Sequence, residues 1–153
     1  MSNEIKINLT LTFSDIYDLI HAYYFADEKT RKALRETIKE RHPKAYTNLE
    51  NTSSLLIKEM QRYDNLAIQK ICKECDHKIL ARAMLQTEEF QKYIFPNVSK
   101  RTSVVLREDM ESMASLVESD NLYYIKEAQV SVLELIRNLY KDGEIIPESE
   151  ILK

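Results

Sequence analysis

The sequence predicts an all-α protein, and three observations carry that prediction. From residue 16 onward apolar residues recur at steps of three and four, the spacing that lines one side of a helix. The 153 residues include one glycine and three prolines, which leaves little material for tight turns or for two-residue β-hairpins that favour glycine. Charged residues make up 31% of the chain, in keeping with helices that have one solvated side. A chain of this length is within the range of one domain and buries a core without disulfides or metals.

The elements follow in order. Residues 1–12 alternate Ile5, Ile7, Leu9 and Leu11, which suits a strand or an extended arm. Ser14 and Asp15 open a helix to about Phe25, with Ile16, Leu19, Ile20 and Tyr23 on one face. Asp27 caps the next, 28–41, whose apolar side is Ala33, Leu34 and Ile38. It stops at His42-Pro43, because the residue before proline is pushed out of the helical region. Helices at 44–50 and about 53–62 follow, and Asp64 caps 65–75, with Leu66, Ile68, Ile71, Cys72 and Cys75 apolar. Then come 77–85 and 87–95, the latter begun by Thr87 with Glu88 and Glu89 near its positive end.

Pro96 and Asn97 break that helix, and Ser99 is placed to cap a long one at 99–117. Thr102, Leu106, Met110, Met113 and Val117 form its core-facing stripe. Arg101 and Glu108 share a face roughly opposite that stripe, while Asp109 flanks it. A loop around 118–121 leads to the last helix, 122–141, with Leu122, Ile125, Val132, Leu133, Ile136 and Leu139 apolar. Asp142-Gly143 ends it, since glycine accepts the left-handed conformation at a helix C-terminus. The segment 144–153 reads as a frayed tail. Short helices, brief turns and no sheet suggest a stacked helical or armadillo-like array, and no internal repeat stands out to decide between them.

Several function classes recede. A net charge of −3 argues against a general nucleic-acid binder, which would need a basic field. No apolar run approaches the roughly 20 residues of a membrane span, and the N-terminus has no secretion pattern. A reducing cytoplasm is therefore the expected setting for Cys72 and Cys75. Cys72-x-x-Cys75 followed by His77 invites a zinc hypothesis, yet the pair falls inside a predicted helix beside Ile68 and Ile71, with no second cysteine pair. Buried core thiols are the favoured reading, and no metal or cofactor is expected. His21, His42 and His77 are scattered, and there is no serine-nucleophile, phosphate-loop or zinc-protease motif. No catalytic residue is assigned. Nine tyrosines fit half-buried helix positions better than a dedicated interface.

Ser99-Lys-Arg101, Leu106-Arg-Glu-Asp-Met110, Glu127-Ala-Gln129, Ile136-Arg137 and Asp142-Gly-Glu-Ile145 fall in one order along the chain. That set resembles the C-terminal domain of the bacterial flagellar motor-switch protein FliG. Ala67-Ile-Gln-Lys70 and Glu74-Cys-Asp76 look like its preceding helices, and Arg31-Lys-Ala-Leu34 with Pro43 like the segment upstream. The resemblance covers roughly residues 28–145 and is strongest after residue 64. It implies an armadillo-like stack that ends in a subdomain of two long helices. It also implies a non-enzymatic rotor protein at the cytoplasmic face of the flagellar basal body. Arg101, Glu108 and Asp109 match the family's exposed charges, which face oppositely charged groups on the stator. With Lys100 and Arg107 they form the expected partner-binding face. Expected partners are stator and other switch-complex proteins, with self-association open. The alternative is a stand-alone helical interaction module unrelated to the motor.

The departures are as definite as the matches. The family's lysine after the helix at 77–85 falls on Met84 or Leu85, and its following glycine on Leu85 or Gln86. The Gly-Pro turn after the charged helix gives way to a glycine-free stretch from Met113 to Asn121, where its arginine has no counterpart. The aromatic-methionine hinge falls near Asn51–Leu55, with no Met-Phe pair. On this reading the chain divides into an N-terminal helical segment 1–50, a family-like domain 51–145 and a tail 146–153.

Overall fold

The computed structural model describes residues 4–7, 12–117 and 123–151. The expectations for Leu9, Leu11, the loop at 118–121 and Leu122 lie outside the described residues, as does the side chain of Val117. Among the described residues the protein is all-α apart from one two-stranded sheet, and the chain forms two compact units, residues 1–52 and 53–153.

The first unit begins with β1 (Ile5–Lys6) and β2 (Thr12–Phe13), antiparallel with Ile5 opposite Phe13. The expectation of no sheet is corrected by this pair; the alternation around Ile5 and Ile7 does mark a strand. Three helices follow: α1 (Ile16–Tyr24), α2 (Glu28–Arg41) and α3 (Pro43–Glu50). Asp15 caps α1 by accepting from the Asp18 amide at 2.9 Å, and Asp27 caps α2 by accepting from the Thr30 amide at 2.8 Å. His42 ends α2 and precedes α3, and Pro43 occupies the first helical turn, where its missing N–H costs nothing.

Leu19, Ile20, Tyr23, Tyr24, Leu34, Ile38 and Leu49 make the core of this unit, whereas Ala33 is exposed. The Tyr24 hydroxyl donates to the Leu49 carbonyl at 2.5 Å. Arg31 turns back onto the end of α1, its guanidinium donating to the carbonyls of Tyr23, Tyr24 and Ala26. It thereby satisfies carbonyls that a helix C-terminus leaves without partners. Arg41 donates to the Ile7 carbonyl at 2.8 Å, tying the N-terminal strand region to the end of α2.

The second unit contains α4 (Thr52–Met60), α5 (Asn65–Glu74), α6 (His77–Met84), α7 (Glu88–Ile94), a 3-10 turn at Phe95–Asn97, α8 (Lys100–Val117), α9 (Tyr124–Lys141) and α10 (Glu148–Ile151). Asp64 and Asp76 cap α5 and α6 through their carboxylates. The hub is α6. Though only eight residues long, it buries Leu80, Ala81, Ala83 and Met84, and both 18-residue helices, α8 and α9, pack against it. Alanines at 81 and 83 let neighbouring backbones come close. Arg82 ties α6 to the start of α9, donating to the Tyr124 carbonyl at 2.5 Å and the Glu127 carboxylate at 3.0 Å. Its guanidinium also lies 4.2 Å from the Tyr124 ring centre.

Three local expectations need correction. Leu66 is 75% exposed, not part of the α5 core. At 100° per residue it points roughly opposite Ile68, Ile71 and Cys72. Thr87 precedes α7 but makes no side-chain cap. Its hydroxyl donates instead to the Leu85 carbonyl at 3.0 Å and accepts from the buried Gln129 amide at 3.2 Å. Residues 144–151 are docked rather than frayed: Ile145 and Pro147 are buried, and the Glu148 amide donates to the Arg62 carbonyl at 2.9 Å.

Candidate interaction surface

The long helix α8 starts where the sequence places it. The Ser99 hydroxyl accepts from the Thr102 amide at 3.1 Å, filling one of the donors a helix N-terminus leaves open. Its stripe is thinner than the sequence suggests. Leu106 is the one side chain of the described part of α8 that is fully buried, while Thr102, Met110 and Met113 are half-buried. Leu106 is thus the one fully covered anchor of the described part of α8, which packs against α6, and the outer side of the helix is open.

The five expected partner-binding residues fall in three settings. Arg101 and Glu108 are exposed and lie about two turns apart, within about 20° of each other around the axis. Lys100 is also exposed, on the neighbouring strip. Asp109 is half-buried at the margin of the packed side. Arg107 is exposed at its edge, but its guanidinium carbon sits 3.9 Å from the centre of the Phe95 ring. Phe95, in the turn that Pro96 creates, is a platform that side-chain spacing along α8 could not show. Among the described residues no ion pair joins Arg107 to Glu111, an i,i+4 pair the sequence allows.

The charge order on α8 runs against its own dipole. The first turn holds Lys100 and Arg101 and no acidic residue, although the N-terminal end of a helix favours negative charge. The acidic residues Glu108, Asp109 and Glu111 come in the middle of the helix instead. Folding alone does not account for that arrangement. Both alternatives for the family's missing lysine, Met84 and Leu85, are buried, so neither position presents any group to a partner. Gln86 takes a φ of 56°, the left-handed region that glycine favours.

The cysteines sit inside the second unit. Cys72 and Cys75 are buried, and desolvation pushes each thiol up to about 12, away from the thiolate that a metal or an electrophile needs. Among the described residues no group of three or more His, Cys, Asp or Glu is placed to hold a metal ion. Of the nine tyrosines, Tyr23, Tyr24 and Tyr63 are buried and only Tyr140 is exposed, the rest being half-buried, as packing residues are. Among the described residues no helix is long and apolar enough to cross a membrane.

A stack of short helices around α6, with one capped helix exposing a mixed-charge face, defines an all-α domain. The chain belongs to the FliG C-terminal domain family, whose model matches residues 36–146. That span covers most of the stretch on which the sequence resemblance rests. The chain is 29% identical over 130 residues to the flagellar motor switch protein FliG of Borreliella burgdorferi, covering 84% of this chain and 36% of that protein. It is 26% identical over 121 residues to FliG of Thermotoga maritima, covering 78% and 35%. It is 29% identical over 91 residues to FliG of Pseudomonas aeruginosa, covering 55% and 26%. The chain thus spans about a third of the length of the curated relatives it matches first.

Proposed function

We propose that this chain is a non-enzymatic rotor-like protein of the flagellar motor switch, acting at the cytoplasmic face of the basal body. In this reading residues 51–145 are the motor domain, and α8 is the face that meets the stator or another switch-complex protein. One observation carries the proposal: Arg101 and Glu108 project into solvent from one side of α8, in a charge order that helix stability does not favour. Lys100 extends the basic end, and Asp109 and Arg107 border the face. Exposed charges give weak, orientable and reversible contacts, which suits a surface that engages and releases repeatedly. The buried Met84 and Leu85 imply different charge chemistry at the neighbouring position from that of relatives with a lysine there.

The test is charge reversal in the native host. Arg101→Glu and Glu108→Lys should each impair swimming without lowering the melting temperature, and Arg101→Glu should raise it slightly by putting an acid in the first turn of α8. Normal swimming in both variants, with Leu106→Ala alone disabling the protein, would leave the charged face as solvated surface. Normal swimming after deletion of the whole gene would favour an interaction module away from the motor.

A further inference from the structure

After α9, Gly143 turns the chain, and the residues that follow place Ile145 inside, Ile146 outside and Pro147 inside, the alternation of an extended stretch. The segment then fastens to two other places in the second unit. The Glu148 amide donates to the Arg62 carbonyl at 2.9 Å, in the turn after α4. The Tyr140 hydroxyl, on the last turn of α9, donates to the Glu150 carboxylate at 3.1 Å. Arg62 joins the two. Its guanidinium lies 5.7 Å from the Tyr63 ring centre and 5.8 Å from the Tyr140 ring centre, and it pairs with Glu59 of α4 at 2.9 Å. A continuous run of contacts therefore leads from α4 through Arg62 and Tyr140 to α10. Most of the segment lies past residue 146, where the match to the family model ends.

We infer that residues 145–151 are a clasp on α4, a conformational device that opens and closes while the rest of the second unit stays folded. Closed, it pins the last turn of α4 to the end of α9; open, it releases both α10 and that turn. Neither partner holds its shape alone. α4 has nine residues and α10 four, below the roughly 12–15 at which an isolated helix is even marginal in water. The clasp is also lightly built. Ile145 and Pro147 are buried, but Ile146 and Ile151 stay in water, and its polar links run through Arg62 and Tyr140, both exposed. Few buried apolar contacts and solvent-facing hydrogen bonds mark the parts of a protein that open first. The centre of the unit is the opposite, with Leu80 and Met84 of α6 and Val132 and Ile136 of α9 all buried. α4 is thereby the movable element of this unit, and the clasp sets how often it moves.

The experiment is hydrogen exchange of the full chain, followed residue by residue by NMR. Two groups of amides report on the clasp: Gln61, Arg62 and Tyr63, which donate to the carbonyls of Ile57, Glu59 and Met60, and Glu150 and Ile151, which donate to that of Pro147. In the parent the two groups should agree within about 3-fold and exchange at least about 10-fold faster than the buried amides of α6 and α9. Tyr140→Phe keeps the ring beside Arg62 and removes only the hydroxyl, and it should speed both groups about 3-fold. Glu148→Pro removes the amide that donates to Arg62, at the first position of α10, where proline fits, and it should speed both about 5-fold. Exchange in α6 and α9 should not change in either variant. If the α10 amides speed up while those after α4 keep their protection, the segment is a passive cover and the clasp is overturned. If the amides after α4 exchange as slowly in the parent as those of α6, α4 opens only with the whole unit and the inference falls. A variant that speeds α6 and α9 to the same extent would overturn it too, because the contacts would then belong to global stability.

Discussion

The Arg107 guanidinium stacks on the Phe95 ring, 3.9 Å from its centre. This contact fastens the second turn of α8 to the 3-10 turn that precedes it, and it gives Arg107 work inside the domain that Arg101 lacks. The two arginines should therefore separate by experiment. Arg107→Ala should lower stability by about 0.5–1 kcal/mol, the range for an exposed cation–π contact. Arg101→Ala should stay within about 0.5 kcal/mol of the parent, as surface substitutions do. Urea unfolding of both variants measures the difference, and equal losses would deny Arg107 its structural role.

Gln129 should be among the polar side chains least tolerant of change. It is 2% exposed, and its amide donates to the Ala83 carbonyl at 3.1 Å and to the Thr87 hydroxyl at 3.2 Å. Gln91 donates to the Met84 carbonyl at 2.8 Å, so two glutamines and Thr87 serve carbonyls at the end of α6. Gln129→Leu leaves the Ala83 carbonyl buried without this donor, at a cost of about 1–3 kcal/mol. Gln129→Glu should be at least as damaging, because a carboxylate cannot donate and resists burial. The check is a thermal melt of each variant, and a loss below 0.5 kcal/mol on the same scale would count against it.

The sequence shows most helix limits because their signals are local. Asp15, Asp27, Asp64 and Ser99 all cap as their positions suggest, and Pro43 and Gly143 mark boundaries through fixed or permissive φ. Contacts made across the fold are not written that way. Thr87 had the residue type of a cap, but the buried Gln129 amide some 40 residues on engages its hydroxyl. The docked segment 144–151 looks polar and loose until Arg62, in the turn after α4, supplies a backbone acceptor. The exposure of Leu66 is local too, since its helical angle alone sets it apart from Ile68 and Ile71. The charged face was readable from spacing, whereas the Phe95 platform under Arg107 needed coordinates.

Two left-handed residues should respond with opposite signs. Gly143 has a φ of 73°, and its amide and that of Glu144 donate to the Tyr140 and Leu139 carbonyls in the double bond of a Schellman cap. A Cβ there would meet open space, so Gly143→Ala isolates backbone strain and should cost about 1–2 kcal/mol. Gln86 carries that strain already at a φ of 56°. Gln86→Gly relieves it, less the roughly 0.5–1 kcal/mol of extra freedom glycine gives the unfolded chain. The expected net gain is up to about 1 kcal/mol, read as a rise in the urea midpoint at constant slope. A fall at Gln86→Gly would mean that the glutamine side chain contributes more than its backbone costs.

The buried thiols predict how stability depends on alkaline pH. Burial pushes Cys72 and Cys75 from an ordinary 9.0 up to about 12, so both stay neutral in the folded protein where the unfolded chain ionises. Below pH 9 the two states bind the same protons at these groups, and the contribution is fully present. As pH rises from 9 toward 12 the unfolded state loses up to two protons that the folded state keeps, so stability falls. Tyr63, pushed from 10.0 to about 12 by burial, adds to the decline only above pH 10. Urea midpoints between pH 8.5 and 10 therefore report mainly on the thiols among these three groups. The parent should lose stability across that window, and the Cys72→Ala/Cys75→Ala variant, less stable throughout, should lose it more slowly. Parallel curves would show that the thiols ionise alike in both states. Rapid labelling of the folded protein by a thiol reagent at pH 8 would point the same way, since a thiol near 12 presents almost no thiolate there.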